Sequence, residues 1–431
     1  MGYQARLVND TKFPIYYQRL GIIEATFKGK LLMPVQSWFR LAYSFSPILV
    51  RIMMKELKCK RTDLVLDPFV GVGTTLIECK MNGINSVGID INPVFCEIAR
   101  VATNWDLDIS LLREIAIEYL SSLRKWREEV RHIRVEDFPR TLNIELPKLY
   151  NIKRWWTDEV LRDLLIAREL INKMDIEDDY KRFLRVALMC ILIKVANVAD
   201  NMHPTLTFLD KPKQVDVIQT LETQLKKMIL DLEHVKNISP VGDARVIEGD
   251  SVRIHEILPE DSIDCIITSP PYPNRISYVW LTRPHLYFFN YLRRPAEAGE
   301  LDCRAIGGTW GKATSILQGI RMKLRNNLLD EVLGETVEAI RVKSNVLANY
   351  VVKYFNMMSE HIENLSKVLR TGARCAYVVG NSIIKGHNIP TDIVLAHIFE
   401  YVGFSVNKIV RFRKRIGKKG LYEAVVYATY E

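Results

Sequence analysis

The stretch LDPFVGVGTTLIECKMNGINSVGIDINP, residues 66–93, narrows the fold more than any other part of the chain. A β-rich run, DLVLDPF, stops at a turn holding Gly71 and Gly73. An amphipathic segment, TLIECKMNG, follows and is closed by Gly83, and a second β-rich run ends at Asp90. Strand, glycine turn, helix and strand in this compass make a βαβ unit, with a parallel pair and a right-handed crossover. Glycine lets the backbone approach a ligand closely. A carboxylate 19 positions after Gly71 falls near the spacing at which a ribose diol is gripped beside such a turn. The third glycine of a dinucleotide turn is missing, Leu76 standing in its place. The turn therefore suits an adenosine that carries no phosphate.

The rest of the chain fits round this unit. Before it, Ile48, Leu49, Ile52, Met53 and Leu57 recur near a 3.6-residue period after Pro47, with Ser46 as N-cap, and predict a helix. From about 106 to 240 the pattern is long, helical and free of glycine, which predicts a mainly helical insertion. β character returns in RVIEGDS, SIDCIITSPPY and GARCAYVVGNS, and the chain closes with a helix, TDIVLAHIFEYVGF, and the strands VNKIVRF and YEAVVYATYE. Residues 283–345 read as a second insertion, rich in basic residues. The expected divisions are 1–105, 241–282 and 346–431 for the α/β domain, and 106–240 and 283–345 for the insertions.

A second stretch, IITSPPYPNR at 266–275, ends a strand with Ser269, two prolines and Tyr272. Pro-Pro ends strands because each ring fixes φ and removes a backbone donor. The same rigidity would hold a polar acceptor and an aromatic face at the mouth of the sheet, where α/β proteins bind ligands.

Asp67-Pro68-Phe69 followed by G-x-G resembles the S-adenosylmethionine motif of class I methyltransferases, in particular the DNA amino-methyltransferases, and SPPY is similar to the catalytic motif of the same family. The resemblance spans roughly 36–105, 244–283 and 350–431. It implies a Rossmann-like, doubly wound sheet with a terminal antiparallel strand, YEAVVYATYE. It further implies that Asp67, Phe69, Gly71 and Gly73 line the methionine portion of the cofactor, with Asp90 on the ribose hydroxyls, Ile91 against adenine and Thr74 also in the cofactor site. Asp250 and Ser251 would meet the adenine amino group. AYSFSP, with Tyr43, Ser44 and Phe45, resembles the motif that in permuted members holds the methionine end.

Methylating an exocyclic amine is hard because its lone pair is delocalised into the ring. The Ser269 hydroxyl and the Pro270 carbonyl would draw on the amino hydrogens while the lone pair points at the donor methyl. Pro271 fixes the direction of that carbonyl, and Tyr272 offers a face on which a flipped base stacks. The serine form of the motif is associated with cytosine-N4 enzymes and the aspartate form is commoner among adenine-N6 enzymes, so cytosine N4 is expected. Adenine N6, an RNA base N-methyltransferase and a cofactor-sensing binding module without turnover stand as the alternatives. RNA guanine-N2 enzymes usually carry aspartate or asparagine in place of Ser269.

A formal charge of +9 favours a polyanionic partner. The candidates for DNA contact are Arg275, Arg283 and His285 after the catalytic motif, Lys312, Arg321 and Lys323 in the second insertion, and Arg413, Arg415 and Lys418 in the acid-free run KIVRFRKRIGKKG. Duplex DNA with a flipped base is the expected partner, with a cognate restriction endonuclease implied, as monomer or homodimer. Seven cysteines without a C-x-x-C pair argue against a disulfide framework and a zinc ribbon, and no metal is expected. The longest apolar runs, such as VALMCILI at 186–193, are far short of the roughly 20 residues of a membrane span, and the first residues lack a signal peptide's apolar core, so a cytoplasmic protein is expected.

Overall fold

A computed structural model of the protein describes residues 12–199, 206–309, 312–414 and 421–431, without the side chains of residues 312 and 313. The strands are β1 (Ile15–Tyr17), β2 (Leu64–Asp67), β3 (Asn85–Asp90), β4 (Ala244–Glu248), β5 (Ile263–Thr268), β6 (Leu369–Gly380), β7 (Ser382–Ile384), β8 (His387–Ile389), β9 (Phe404–Lys414) and β10 (Tyr422–Tyr430). Strands β7 and β8 form a separate hairpin, and the other eight make one sheet in the order β1-β9-β10-β6-β5-β2-β3-β4. Strands β4, β3, β2, β5 and β6 pair in parallel, whereas β10 runs antiparallel to both β6 and β9. The fold is thus the expected α/β sheet with a closing antiparallel strand. The last strand of the chain lies inside the sheet, between β6 and β9. The short strand β1 joins the edge, parallel to β9, an addition that no pattern in the sequence announces.

Strand β6 shows why the sheet is wound on both faces. Cys375, Tyr377 and Val379 pack in one core with the helices Asn345–Ser366 and Thr391–Val402, while Ala376 and Val378 pack in another with the helix Pro47–Glu56. A strand of alternating burial on two apolar faces needs helices on each. The helix Pro47–Glu56 starts at Ser46, whose side chain accepts from Ile48 N–H, as the sequence predicts.

Chain order reverses at β2 and β5. From β2 the chain builds outward through β3 to β4, then returns to add β5 on the other side of β2 and continues to β6. In open α/β sheets ligands bind in the crevice outside the strand ends at such a point. The glycine turn follows β2 and the SPPY corner follows β5, so both open there.

Between β3 and β4 the helices Ile109–Val130, Asp158–Lys173, Asp178–Leu192 and Val217–Val235 share a large apolar core with the helix Pro93–Thr103. Trp155 and Trp156 are buried in it. Two expected boundaries need correction. The division at 282/283 falls inside the helix Tyr278–Phe288, and that at 345/346 falls in the first turn of Asn345–Ser366. An apolar pattern that runs on through Pro284 hid the first. Among the described residues no helix is long and apolar enough to cross a membrane.

Arg374 of β6 staples the sheet to the chain entering it. Its guanidinium donates to the Asp63 carboxylate at 2.7 Å and to the carbonyls of Leu57 and Lys58 at 2.7 and 3.0 Å. Burial works to raise the Asp63 pKa, but hydrogen bonds from Lys60 N–H and Arg374 hold the carboxyl below its usual range. Removing one partner of such a pair leaves a buried charge without its counterion. Arg374→Ala is expected to lower the urea-unfolding free energy by about 2–4 kcal/mol, with the denaturant slope unchanged. A loss below about 1 kcal/mol would show that the staple carries no weight.

Candidate active site

Asp67, the last residue of β2, is fully buried. One carboxylate oxygen accepts from Thr268 Oγ1 at 2.6 Å and from Phe69 N–H at 3.1 Å, and the other accepts from Thr75 Oγ1 at 2.6 Å. One side chain therefore ties together the end of β2, the first turn of the helix Thr74–Met81 and the end of β5. Burial pushes its pKa up to about 6, against the pull of those three donors. The turn itself runs through Gly71 and Gly73, at φ of +50° and +90°. A side chain on Gly73 would press on Ala99 at 3.2 Å, while one on Gly71 would meet nothing within 4 Å, because Gly71 faces open space. Asp90 closes the turn: its Oδ2 accepts from Gly71 N–H at 3.0 Å and its Oδ1 from Asn92 N–H at 2.9 Å. Burial, then the nearby Asp67 charge, outweigh these hydrogen bonds and push the Asp90 pKa up to about 7.

A cleft of about 910 Å³, open to solvent at its mouth, lies over this turn. Tyr43, Ser44, Phe45, Phe69, Gly71, Thr74, Asp90, Ile91, Asp250 and Ser251 all line it, and so do Ser269 and Pro271. Asp67 and Gly73 do not. Asp67 braces the cleft from beneath, with both oxygens spent inside the fold, and Gly73 turns its back to pack against the helix Pro93–Thr103. Asp250 also caps the 3-10 turn Ser251–Glu256, accepting from Val252 N–H at 3.0 Å. Behind the wall, His361 Nδ1 donates to the Ser251 carbonyl at 2.8 Å and its Nε2 accepts from Tyr377 Oη at 2.9 Å. The His361 ring also packs edge-on to Phe69. Burial lowers its pKa to about 4, so it works as a neutral strut.

Part of the wall carried no sequence signal. Asp302, Arg304, Ala305, Ile306 and Gly308 come from the second insertion and face the glycine turn across the cleft. Ser277 Oγ, at the start of the helix Tyr278–Phe288, donates to Asp302 Oδ1 at 2.5 Å and holds that flap down. The pair Gly307-Gly308 was the one local hint of a turn there.

A second cavity, of about 970 Å³, adjoins the first, and Tyr43, Ser44, Phe45, Ser269 and Tyr278 belong to both walls. Tyr272 lines only the second. Its ring rests on Gly380, where a Cβ would come within 2.7 Å of two ring carbons. Two tyrosines of the helix Asn345–Ser366 brace the corner: Tyr354 Oη donates to the Pro271 carbonyl at 2.8 Å, and Tyr350 Oη accepts from Arg275 N–H at 3.0 Å. Pro270 is buried beneath Ser269.

The basic residues scatter. Arg275, Arg321 and Lys323 are exposed, with Arg321 paired to Glu338 at 2.8 Å. Arg283 is half-buried and lies over the Trp280 ring at 3.7 Å. His285 cannot meet DNA: it is buried, its Nε2 lies 3.1 Å from the Met189 carbonyl, and burial lowers its pKa to about 4. Arg415, Lys418 and the Lys312 side chain lie outside the described residues. The acid-free run is not acid-free in space, since Lys408 pairs with Glu56, Arg411 with Asp392 and Arg413 with Glu423. Cys59, Asp63 and Cys265 come near enough to suggest metal ligands, but the Arg374 guanidinium already holds the Asp63 carboxylate.

Residues 45–101 match the DNA methylase family of N6/N4 enzymes. The chain is 25% identical over 445 residues to the Type II methyltransferase M.BsoBI of Geobacillus stearothermophilus, covering 91% of this chain and 84% of that one. It is 25% identical to the Type II methyltransferase M.AvaI of a Nostoc strain, covering 89% and 82%. A 135-residue segment, 31% of this chain and 23% of the relative, is 35% identical to the Type II methyltransferase M.MjaII of Methanocaldococcus jannaschii. These matches bear out the resemblance read from the two motifs, and with it S-adenosylmethionine as the methyl donor of enzymes of this type.

The buried brace predicts a pH-dependent defect. The folded-state pKa of Asp67 lies above its unfolded value, so the native state takes up its proton first, and this group weakens stability as pH rises from about 4 through 6. Thr268→Val removes a donor to the ionised form and raises that pKa further. The loss in unfolding free energy is expected to be about 1–3 kcal/mol at pH 8 and smaller at pH 5, where the carboxyl is already protonated. Chemical denaturation at the two pH values checks the difference, and an equal loss at both would remove the ionised carboxylate from the account.

Proposed function

We propose that this chain, an amino-methyltransferase of the N6/N4 type, transfers a methyl group from S-adenosylmethionine to the exocyclic N4 amine of a cytosine flipped out of duplex DNA. The observation that carries the reading is the shared wall. Ser269 belongs both to the cleft over the glycine turn and to the cavity that holds Tyr272. A donor in one and a base in the other would meet there.

The cleft suits the cofactor in its chemistry. Its lining sets the Asp90 carboxylate beside the apolar surfaces of Phe69, Ile91 and Phe95, as a nucleoside with a hydroxyl pair and a flat ring requires, with Asp250 and Asp302 elsewhere in the wall. In this reading Asp90 accepts from the ribose hydroxyls, Ile91 lies against adenine, Asp250 and Ser251 stand near its amino group, and Tyr43, Ser44 and Phe45 close over the methionine end. Bound S-adenosylmethionine supplies an electrophilic methyl on a sulfonium.

The second cavity takes the base. Tyr272, its ring against Gly380, offers a stacking face, and Tyr354 and Tyr350 keep the corner from shifting when the base arrives. The Ser269 hydroxyl and the Pro270 carbonyl accept the two amino hydrogens, which draws the nitrogen toward tetrahedral geometry and frees its lone pair for attack. The methylated nitrogen is cationic and strongly acidic until it sheds a proton, so the site needs no strong base. The serine of the motif favours cytosine N4 over adenine N6. The Type II relatives favour a modification enzyme that reads a set sequence beside a cognate endonuclease, acting in the cytoplasm.

Digestion of DNA from a host that expresses the protein, with mass analysis of the nucleosides, is expected to yield N4-methylcytosine. N6-methyladenine in its place would overturn the choice of base, and no methylated base in DNA would overturn the function. Ser269→Ala is expected to lower single-turnover methyl transfer by about 100-fold or more while cofactor binding stays within about twofold.

Asp90 makes cofactor affinity depend on pH. With its pKa near 7 in the free protein, the carboxylate must lose a proton to accept from two hydroxyls. The dissociation constant for S-adenosylmethionine is expected to be about tenfold weaker at pH 6 than at pH 8. Calorimetry checks this, and a dependence that persists in Asp90→Asn would assign the titration to another group.

A further inference from the structure

We infer that Arg413, held by Glu423 in the floor of the second cavity, reads the hydrogen-bonding edge of the flipped base beyond its amine and selects cytosine. The inference rests on the function proposed above and deepens it by assigning the residue that chooses the base.

Gly380 of β6, Glu423 of β10 and Arg413 of β9 stand opposite one another in a single register row across three neighbouring strands. Tyr272 lies over the first of them, and the other two line the same cavity. Adjacent strands are about 4.8 Å apart, so Arg413 starts about 10 Å from Gly380 along the row. A pyrimidine ring and an arginine side chain together bridge that span. The strand is built to aim the arginine inward. Register shifts beside Glu423, leaving Phe412 as an extra residue of β9, and both Phe412 and Arg413 line the cavity although successive residues of a regular strand face opposite ways.

Charge decides what the arginine meets. One guanidinium N–H donates to Glu423 Oε2 at 3.2 Å, and the Glu423 side chain is only 13% exposed. A cation already balanced by a neighbouring carboxylate gains little from a phosphate, whereas an uncharged base edge needs donors rather than charge. The guanidinium offers five N–H groups in a rigid fork. Next to its amine, cytosine presents two acceptors in succession, N3 and O2. Adenine presents N1 and then a C–H. A fork that fits the first pair leaves a donor facing carbon with the second, and desolvated donors without acceptors are the strongest source of discrimination in such pockets.

The test uses the purified full chain, labelled S-adenosylmethionine and duplexes carrying its own target sequence, with cytosine or 3-deazacytosine at the modified position. The analogue keeps the amine and O2 and replaces N3 by C–H. The unaltered protein is expected to lose about tenfold or more in single-turnover rate on the analogue. Arg413→Ala is expected to lose about as much on cytosine and little further on the analogue, with cofactor binding unchanged as the control for folding. Arg413→Lys, which keeps the charge and loses the fork, is expected to fall between the two on cytosine. Undiminished sensitivity to the analogue in Arg413→Ala overturns the inference. So does a defect that vanishes at saturating DNA and lowers the salt slope by about one, the mark of a phosphate contact. If the unaltered protein makes N6-methyladenine, this inference falls while methyl transfer stands. If it methylates no DNA at all, the function proposed above falls first.

Discussion

The site depends on one buried carboxylate. Asp67 receives hydroxyl hydrogen bonds from Thr75, eight residues on, and from Thr268, 201 residues on. The first fixes the helix that opens the glycine turn, and the second fixes the strand that ends at Ser269. A carboxylate in an apolar interior is costly unless its lone pairs are satisfied. The same hydrogen bonds that make Asp67 tolerable also hold the two motifs side by side, so the spacing between cofactor and base is a by-product of satisfying a buried charge.

Around that anchor the protein is built in shells. Asp90 ties down the backbone of the turn, His361 spans from the Ser251 carbonyl to Tyr377 behind the cleft, and Tyr350 and Tyr354 hold the proline corner from the opposite helix. None of these groups needs to move for the proposed chemistry. An amine whose lone pair is delocalised must be held at a set angle to the donor methyl, and a rigid frame meets that demand better than a mobile one. The flap formed by Asp302 to Gly308 is held by side-chain bonds from Ser277 to Asp302 and from Lys353 to the Gly308 carbonyl.

Positive charge misled where motifs did not. Counting cations along the sequence marks the run 408–419 as an acid-free strip, yet Glu56, Asp392 and Glu423 reach its described part from three other elements. His285 sits five residues after Trp280, shortly beyond the catalytic motif, and is sealed against Met189. Ion pairs and burial are set by which elements pack together, and a chain that pairs residues hundreds of positions apart cannot disclose them locally. The same packing turned Arg413 from a surface candidate into the floor of a cavity.

What the sequence by itself determined was local in origin. The βαβ unit at 66–93, the helix capped at Ser46, the helical stretch after 106 and the corner at 269–272 each follow from turn chemistry, capping and periodicity within a few residues. So does the likeness to the amino-methyltransferases, which those short motifs carry. Tertiary structure decided the rest. It put the glycine turn and the proline corner into adjoining cavities with a common serine, turned Asp67 inward, brought the flap from a segment without a motif, and slipped the first strand onto the far edge of the sheet. Those outcomes depend on burial and on hydrogen bonds between distant strands, and such interactions exist only once the sheet has formed.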